Sequence, residues 1–377
     1  MPLTAAPLRF PLACLIALSG LLTAQEAALP KLRGLSRLDL LEVRQADGRL
    51  TRATTPGEWA PRAQEAVAGF VSVTGPLPGE ARRGDLAPQI LEETDCGSYL
   101  RRLISYAAEP QSRVPAYLCL PKQALQGRPA PAVLCLHPTE NQIGHQVVVG
   151  LGGKPNRQYA AELAERGFVT LSPAYPQLAN YQPDLAGLGY QSGTMKAIWD
   201  NLRGVDYLET LPFVDAKPGF GVIGHSLGGH NAVYTAVHDV RLKVIVSSCG
   251  LDSFLDYKGG NLSGWTQNRY MPRMAAFLGQ PERVPFDFDE LLALLAPRWV
   301  FISAPLHDSN FRHTSVARLG QAARAVFDLH QAGDHLQIHH PDSDHDFPEK
   351  ERFLAYELFE AVLMAPAEPS VKKAAAQ

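Results

Sequence analysis

The chain has 377 residues, of which 46% are hydrophobic and 19% charged, the make-up of an ordinary globular protein with room for one large domain or two. A formal charge of −3, with no basic stripe, aromatic-basic alternation or polybasic tail, gives a nucleic-acid partner no electrostatic support. An extended anionic ligand is disfavoured on the same ground.

Residues 1–24 stand apart. Arg9 precedes an apolar run from Phe10 to Leu22, followed by Thr23-Ala24 and the first acidic residue, Glu26. This is the pattern of a secretory signal cleaved near Ala24, and it predicts a secreted or periplasmic protein. The run is about a dozen residues long and broken by Pro11, too short for a stable membrane anchor. Cys14 lies early in it and lacks a lipidation context. Beyond the signal come Cys96, Cys119, Cys135 and Cys249. The last three fall in apolar strand candidates, where a thiol behaves as a small buried hydrophobe. No Cys-x-x-Cys spacing suggests zinc, and an oxidising compartment leaves a Cys119–Cys135 disulfide open.

Residues 25–95 read as an N-terminal extension packed on the main domain. They are weakly periodic at first, with an amphipathic piece at Leu38, Leu40, Leu41 and Val43. Thr55-Pro56-Gly57-Glu58 then has capping-box form, and Trp59, Ala63, Val67 and Phe70 recur on one helical face. Pro61 is expected to kink this helix or delay its start. Residues 74–90 read as a Gly/Pro loop.

The catalytic domain is expected over 96–365. Strands are predicted at 99–106, 114–120 and 132–137, the third apolar enough to be buried on both faces. A helix near 158–166, a strand at 168–172, a helix at 192–211 and a strand at 242–248 follow. After the interruption at 251–296, a strand at 299–303, a helix at 314–329, a strand at 336–340 and a helix at 348–364 resume the rhythm. Such alternation predicts an α/β protein with a mainly parallel, doubly covered sheet. Residues 366–377 read as a disordered tail. Nothing in the sequence fixes an oligomeric state.

Between the 192–211 helix and the 242–248 strand lies GFGVIGHSLGGH, residues 219–230. An apolar strand ends in Gly224-His225-Ser226-Leu227-Gly228 and a helical apolar period begins: this is a nucleophile elbow, G-x-S-x-G between strand and helix. Ser226 is lifted into a strained turn at a helix N-terminus, where unpaired amides favour a developing oxyanion. A serine needs a base, and the base an orienting acid. Asp308 lies just beyond the 299–303 strand and His345 just beyond the 336–340 strand, giving the chain order Ser, Asp, His of an elbow fold. Asp252 is the rival acid, and a helix cap is the bland role for Asp308. His339 and His340 rival His345 but fall within the strand, and His230 sits on the elbow helix as a packing residue. Leu227 and Thr139 are the expected oxyanion donors, Pro138 having no N–H to give. The remaining histidines lack paired-ligand spacing, so no metal and no cofactor is expected.

The chain resembles α/β-hydrolases of the dienelactone-hydrolase and acetyl-xylan-esterase-like groups. The likeness is carried by LCLHPTE at 134–140, GKPNRQYAAELAERGFVTLSPAYP at 153–176, GVIGHSLGGHNAVY at 221–234, APLHDSNF at 304–311 and HPDSDHDFPEKERFLAY at 340–356. It spans roughly 99–365 and implies the α/β-hydrolase fold. Ser226 departs from the cysteine nucleophile of dienelactone hydrolases and favours an ordinary ester, and His137-Pro138 stands where His-Gly is usual. Similarity to acetyl xylan esterases implies an acylated carbohydrate as partner; fold-level analogy alone warrants little about substrate. The expected reaction is hydrolysis of a carboxylic ester through an acyl-enzyme. A prolyl-oligopeptidase-type peptidase is the second reading, although the 25–95 leader is too short for a β-propeller. A silent binding module on a hydrolase scaffold is the third, and it has no need of a base and its orienter in register. The lid-like insertion at 251–296 carries Tyr257, Trp265 and Tyr270, read either as substrate-stacking faces at the rim or as a satellite core.

Overall fold

The computed structural model describes residues 35–37 and 39–364. The expected signal at 1–24 and tail at 366–377 lie outside the described residues. Two short strands, β1 (Glu42–Arg44) and β2 (Leu50–Arg52), form a separate ribbon beside helix α1 (Pro56–Thr74). Thr55 caps α1 by accepting from the Glu58 amide at 3.3 Å, while the Glu58 carboxylate accepts from the Thr54 amide at 2.8 Å. The helix starts at Pro56 and runs on through Pro61 with no delayed start. Pro61 is exposed and near the N-terminus, where a missing amide removes one bond to the Gly57 carbonyl.

Among the described residues the main sheet has nine strands. It begins with β3 (Gln89–Asp95), β4 (Tyr99–Glu109) and β5 (Ser112–Pro121), an antiparallel run. After a short helix α2 (Lys122–Leu125) come β6 (Ala132–Leu136), α3 (Tyr159–Glu165), β7 (Val169–Pro173), α4 (Gly193–Thr210), β8 (Phe220–His225), α5 (Leu227–His238) and β9 (Leu242–Ser248). The chain closes with α6 (Phe288–Ala293), β10 (Trp299–Ser303), α7 (His313–Leu329), β11 (Leu336–His339) and α8 (Glu349–Leu363). The spatial order is β11-β10-β9-β8-β6-β7-β5-β4-β3, parallel from β11 to β7 and antiparallel beyond. β3, inside the stretch read as a leader and loop, is thus the edge of the main sheet.

Two cores cover the sheet. One gathers residues of α1, α4, α5 and α7, such as Phe70, Leu202, Ala232 and Leu319; the other gathers residues of α3 and α8, such as Tyr159 and Tyr356. Central strands therefore read as continuous apolar runs, because both faces are buried. Cys119 and Cys135 lie on β5 and β6 with β7 between them, and both are free thiols. Among the described residues no helix is long and apolar enough to cross a membrane.

Candidate active site

The site lies at the C-terminal ends of β6, β8, β9, β10 and β11. Ser226 follows β8 with φ 55° and ψ −117°, a conformation a side-chain-bearing residue rarely adopts. Close packing enforces it. A Cβ on Gly224 would stand 2.1 Å from the Gly228 carbonyl oxygen, and one on Gly228 would stand 2.0 Å from that of Leu136. These glycines let the start of α5 press against both β8 and the end of β6.

The sequence-predicted triad comes together. Ser226 Oγ is 3.0 Å from His345 Nε2, and His345 Nδ1 is 2.8 Å from Asp308 Oδ2. A carboxylate only accepts, so Nδ1 carries the proton and Nε2 is left to accept from the serine. Asp308 divides its oxygens: Oδ1 accepts the amides of Asn310 at 2.7 Å and Phe311 at 3.0 Å, leaving Oδ2 to His345. Burial pushes its carboxyl up, but the bonds from His345 and those two amides outweigh burial and hold it below the usual carboxylate range. Asp252 is fully buried and accepts the Arg312 amide at 3.2 Å. It has no bond to His345. His339 lies within β11, and His340 bonds the Ala304 carbonyl at 2.8 Å.

A second tier of residues fixes the loop of His345, and the sequence reading missed it. Arg157, buried, donates through Nη2 to the His345 carbonyl at 3.3 Å and through Nη1 to the Asp346 carboxylate. Asn156 Nδ2 donates to the other Asp346 oxygen at 2.6 Å, and Arg352 joins Asn156 Oδ1 at 2.8 Å to the Phe347 carbonyl at 2.7 Å. Cys249, just after β9, donates its thiol to the Asp346 carbonyl at 3.2 Å. His225, one residue before Ser226, has its ring 4.9 Å from that of His345; burial first, then the Arg157 charge, keep it neutral. No periodicity marks these residues; His225 and Asp346 flank Ser226 and His345 in the chain, whereas Asn156 and Arg157 come from a segment far away in sequence.

The loop after β6 is fixed by His137. Its Nε2 accepts from the Tyr175 amide at 2.9 Å and its Nδ1 meets the Pro138 carbonyl at 2.7 Å, while burial lowers its pKa to about 4. This neutral ring links the loops after β6 and β7. Thr139 is exposed, and its hydroxyl is 3.0 Å from the Tyr270 hydroxyl. Leu227 is buried with Tyr175, Leu178 and Ala197, and Tyr270 packs against that cluster.

The three insertion aromatics part company. Tyr270 reaches the rim beside Thr139. Trp265 is only 4% exposed and Tyr257 6%, so neither presents a face to solvent. The Trp265 ring lies 5.0 Å from that of His230, 5.5 Å from Phe254 and 5.6 Å from Tyr257. The stacking role read for Trp265 and Tyr257 is corrected: both belong to the larger of the two cores, where Trp265 meets His230 of α5 and Phe288 of α6. The rim itself is pinned to α4: the amides of Gly193 and Thr194 donate to the carbonyls of Asn268 at 2.8 Å and Tyr270 at 3.2 Å.

No family model matches the chain. It is similar to YtaP of Bacillus subtilis, which carries a hydrolase name, at 27% identity over 255 residues, 62% of this chain and 78% of that protein. In structure it is similar to a glucuronoyl esterase from Solibacter usitatus, with TM-score 0.69 and 19% identity, over 88% of this chain and 99% of that one. A carbohydrate esterase family 15 glucuronoyl esterase from Caldicellulosiruptor kristjansonii follows with TM-score 0.64 and 19% identity, over 90% and 93% of the two chains. A promiscuous esterase of that family, from a marine bacterial metagenome, gives TM-score 0.67 at 18% identity over 90% and 99%. With its six parallel strands, its elbow after β8 and these neighbours, the chain has the α/β-hydrolase fold that the sequence resemblance implied.

Proposed function

We propose that this protein is a secreted serine esterase that cleaves a carboxylic ester of a carbohydrate, acetylated in the first instance, through an acyl-enzyme. The carrying observation is the relay Ser226, His345, Asp308 at 3.0 and 2.8 Å. His345 Nε2 takes the Ser226 proton as Oγ attacks the ester carbonyl, and returns it to the leaving alcohol; Asp308 keeps the proton on Nδ1 and stabilises the imidazolium. The tetrahedral oxygen would be met by the Leu227 amide in the first turn of α5 and by the Thr139 amide. Water then repeats the sequence on the acyl-enzyme. The structural neighbours named as esterases of carbohydrate family 15 support the ester and carbohydrate class. Tyr270, at the rim beside Thr139, is the residue for sugar contact. The signal-like 1–24 segment supports export.

Turnover should be screened on acetylated oligosaccharides, uronate methyl esters, aryl esters and aminoacyl-amides, with released acid or amine as readout. Ester turnover with fluorophosphonate labelling at Ser226, both lost in Ser226→Ala, is the expected result. Amide cleavage exceeding ester cleavage would favour a peptidase, and labelling at another residue would overturn the assignment.

A further inference from the structure

The loops after β9, β10 and β11 each deliver one metal-competent side chain to the same point. Cys249 Sγ, an Asp308 carboxylate oxygen and an imidazole nitrogen of His345 all lie within 4.8 Å of one another. Cys249 is held there against its backbone preference, with φ 49° and its amide donating to the Ser303 carbonyl at 2.8 Å. Around a tetrahedral zinc ion with bonds of about 2.0–2.3 Å, ligand atoms stand about 3.3–3.8 Å apart, so closure needs side-chain shifts of about 1 Å. Thiolate, imidazole and carboxylate together suit zinc, whereas magnesium and calcium call for more oxygen ligands. The side chain of His345 is 28% exposed, against 1% for Asp308, and opens the way in.

We propose that Cys249, Asp308 and His345 form a site for a thiophilic divalent cation, zinc foremost, whose occupancy switches the triad off. It rests on the triad reading above. The cation bonds to Sγ, to Nδ1 and to Asp308 Oδ2, with water in the fourth position. The thiol proton leaves to solvent, and the proton displaced from Nδ1 reappears on Nε2 of the neutral imidazole. Nε2 then donates to Ser226 instead of accepting from it, and the base is lost with no change of oxidation state. Asp308 keeps its loop in place meanwhile, since Oδ1 alone serves the Asn310 and Phe311 amides.

Cobalt(II) titrated into folded Ser226→Ala protein should produce a thiolate-to-cobalt absorption band saturating at one ion per chain and bleached by zinc. The band should be absent in Ser226→Ala/Cys249→Ser; Cys249→Ala replaces that variant if serine misfolds, with circular dichroism as the check. In otherwise native protein, zinc should inhibit ester turnover reversibly and chelator should restore it. Relative to each protein's own metal-free rate, the inhibiting zinc concentration should rise at least about tenfold without the thiol ligand. A band that survives loss of Cys249, or zinc inhibition unchanged by it, overturns the site. A Cys249-dependent band in a protein that turns over no ester would leave the metal site standing and remove the esterase reading. Ester turnover with no band would do the reverse.

Discussion

Asp308 illustrates how one side chain does two jobs without compromise, one oxygen ordering its own loop and the other holding the His345 ring. Replacing it by Asn puts a donor where an acceptor is needed, and the wrong tautomer of His345 is then favoured. We expect Asp308→Asn to lower kcat by about 10⁴-fold, as the equivalent change does in a serine protease, with Asp252→Asn close to wild type. Comparable losses in both would return Asp252 to the site. The same carboxyl is held below its unfolded value, so its contribution to stability is present above about pH 4 and is lost as pH falls through the lower folded value. Asp308→Asn should therefore be less stable than wild type at pH 7, by a margin that shrinks on acidification. The meeting of Ser226, Asp308 and His345 was legible because strand-turn-helix chemistry and loop position are local properties of the sequence. The fate of Trp265 was not, since burial is decided by α5 and α6, elements distant in the chain. Trp265→Ala should cost about 3–5 kcal/mol of stability through the cavity it leaves. Tyr270→Phe should keep the melting temperature and raise KM for carbohydrate esters more than for p-nitrophenyl acetate. A soluble, fully stable Trp265→Ala enzyme with a selective sugar defect would restore the stacking reading.

At the scale of elements, strands buried on both faces announced themselves as apolar runs, and β9 to β11 stand within a residue of their expected bounds. β3 did not, for a physical reason. Gln89–Asp95 is exposed at every position and carries a bulge between Ile90 and Glu92, so no face is buried and no alternation survives for a pattern to find. The grip on the His345 loop was equally invisible, because Arg157 and Asp346 are far apart in sequence and meet only when α3 and α8 pack on the same face. Arg157 neither touches the reacting atoms nor shares an element with them; it positions the loop. A misplacement of the base by about 1 Å can cost about 10²-fold, which sets the scale for Arg157→Gln. The loss should fall on kcat, with KM within about threefold of wild type, since the proposed substrate rim at Thr139 and Tyr270 is untouched. Arg157→Lys, keeping the ion pair with Asp346 but not the second arm to the His345 carbonyl, should lie between, and added guanidinium should restore part of the Arg157→Gln rate. A fall in melting temperature with kcat intact would reduce Arg157 to a structural ion pair.

For the whole molecule, one question is how the long β4–β5 arm and the α4 helix are held to a sheet that changes from antiparallel to parallel beside them. Between them lies a charge cluster whose centre, Lys196, Asp200 and Glu109, is buried. Lys196 on α4 pairs with Asp200 one turn on and, at 3.4 Å, with Glu109 at the end of β4. Tyr181 donates to Asp200 at 2.8 Å, and Tyr190 and Arg82 reach Glu109 at 3.0 and 2.9 Å. Burial raises the Asp200 carboxyl to about 6 against the pull of Lys196. A raised folded value means that the folded state holds this proton more tightly than the unfolded chain does, so stability from this group falls as pH rises from about 4 to 6. Buried pairs are weak evidence of net stability, but removing one partner strands the other, at a cost of about 3–5 kcal/mol. Lys196→Met should suffer that loss at pH 7.5. Without the cation Asp200 titrates higher still, and it can enter the folded core protonated at pH 5, where Tyr181 and its neighbours accept a neutral acid more cheaply. Denaturant unfolding should thus show a smaller deficit for Lys196→Met at pH 5 than at pH 7.5. Adding Asp200→Asn should narrow the deficit at pH 7.5. An equal deficit at both pH values would mean that the cluster holds α4 by packing, and that its charges are not what ties the helix to the antiparallel arm.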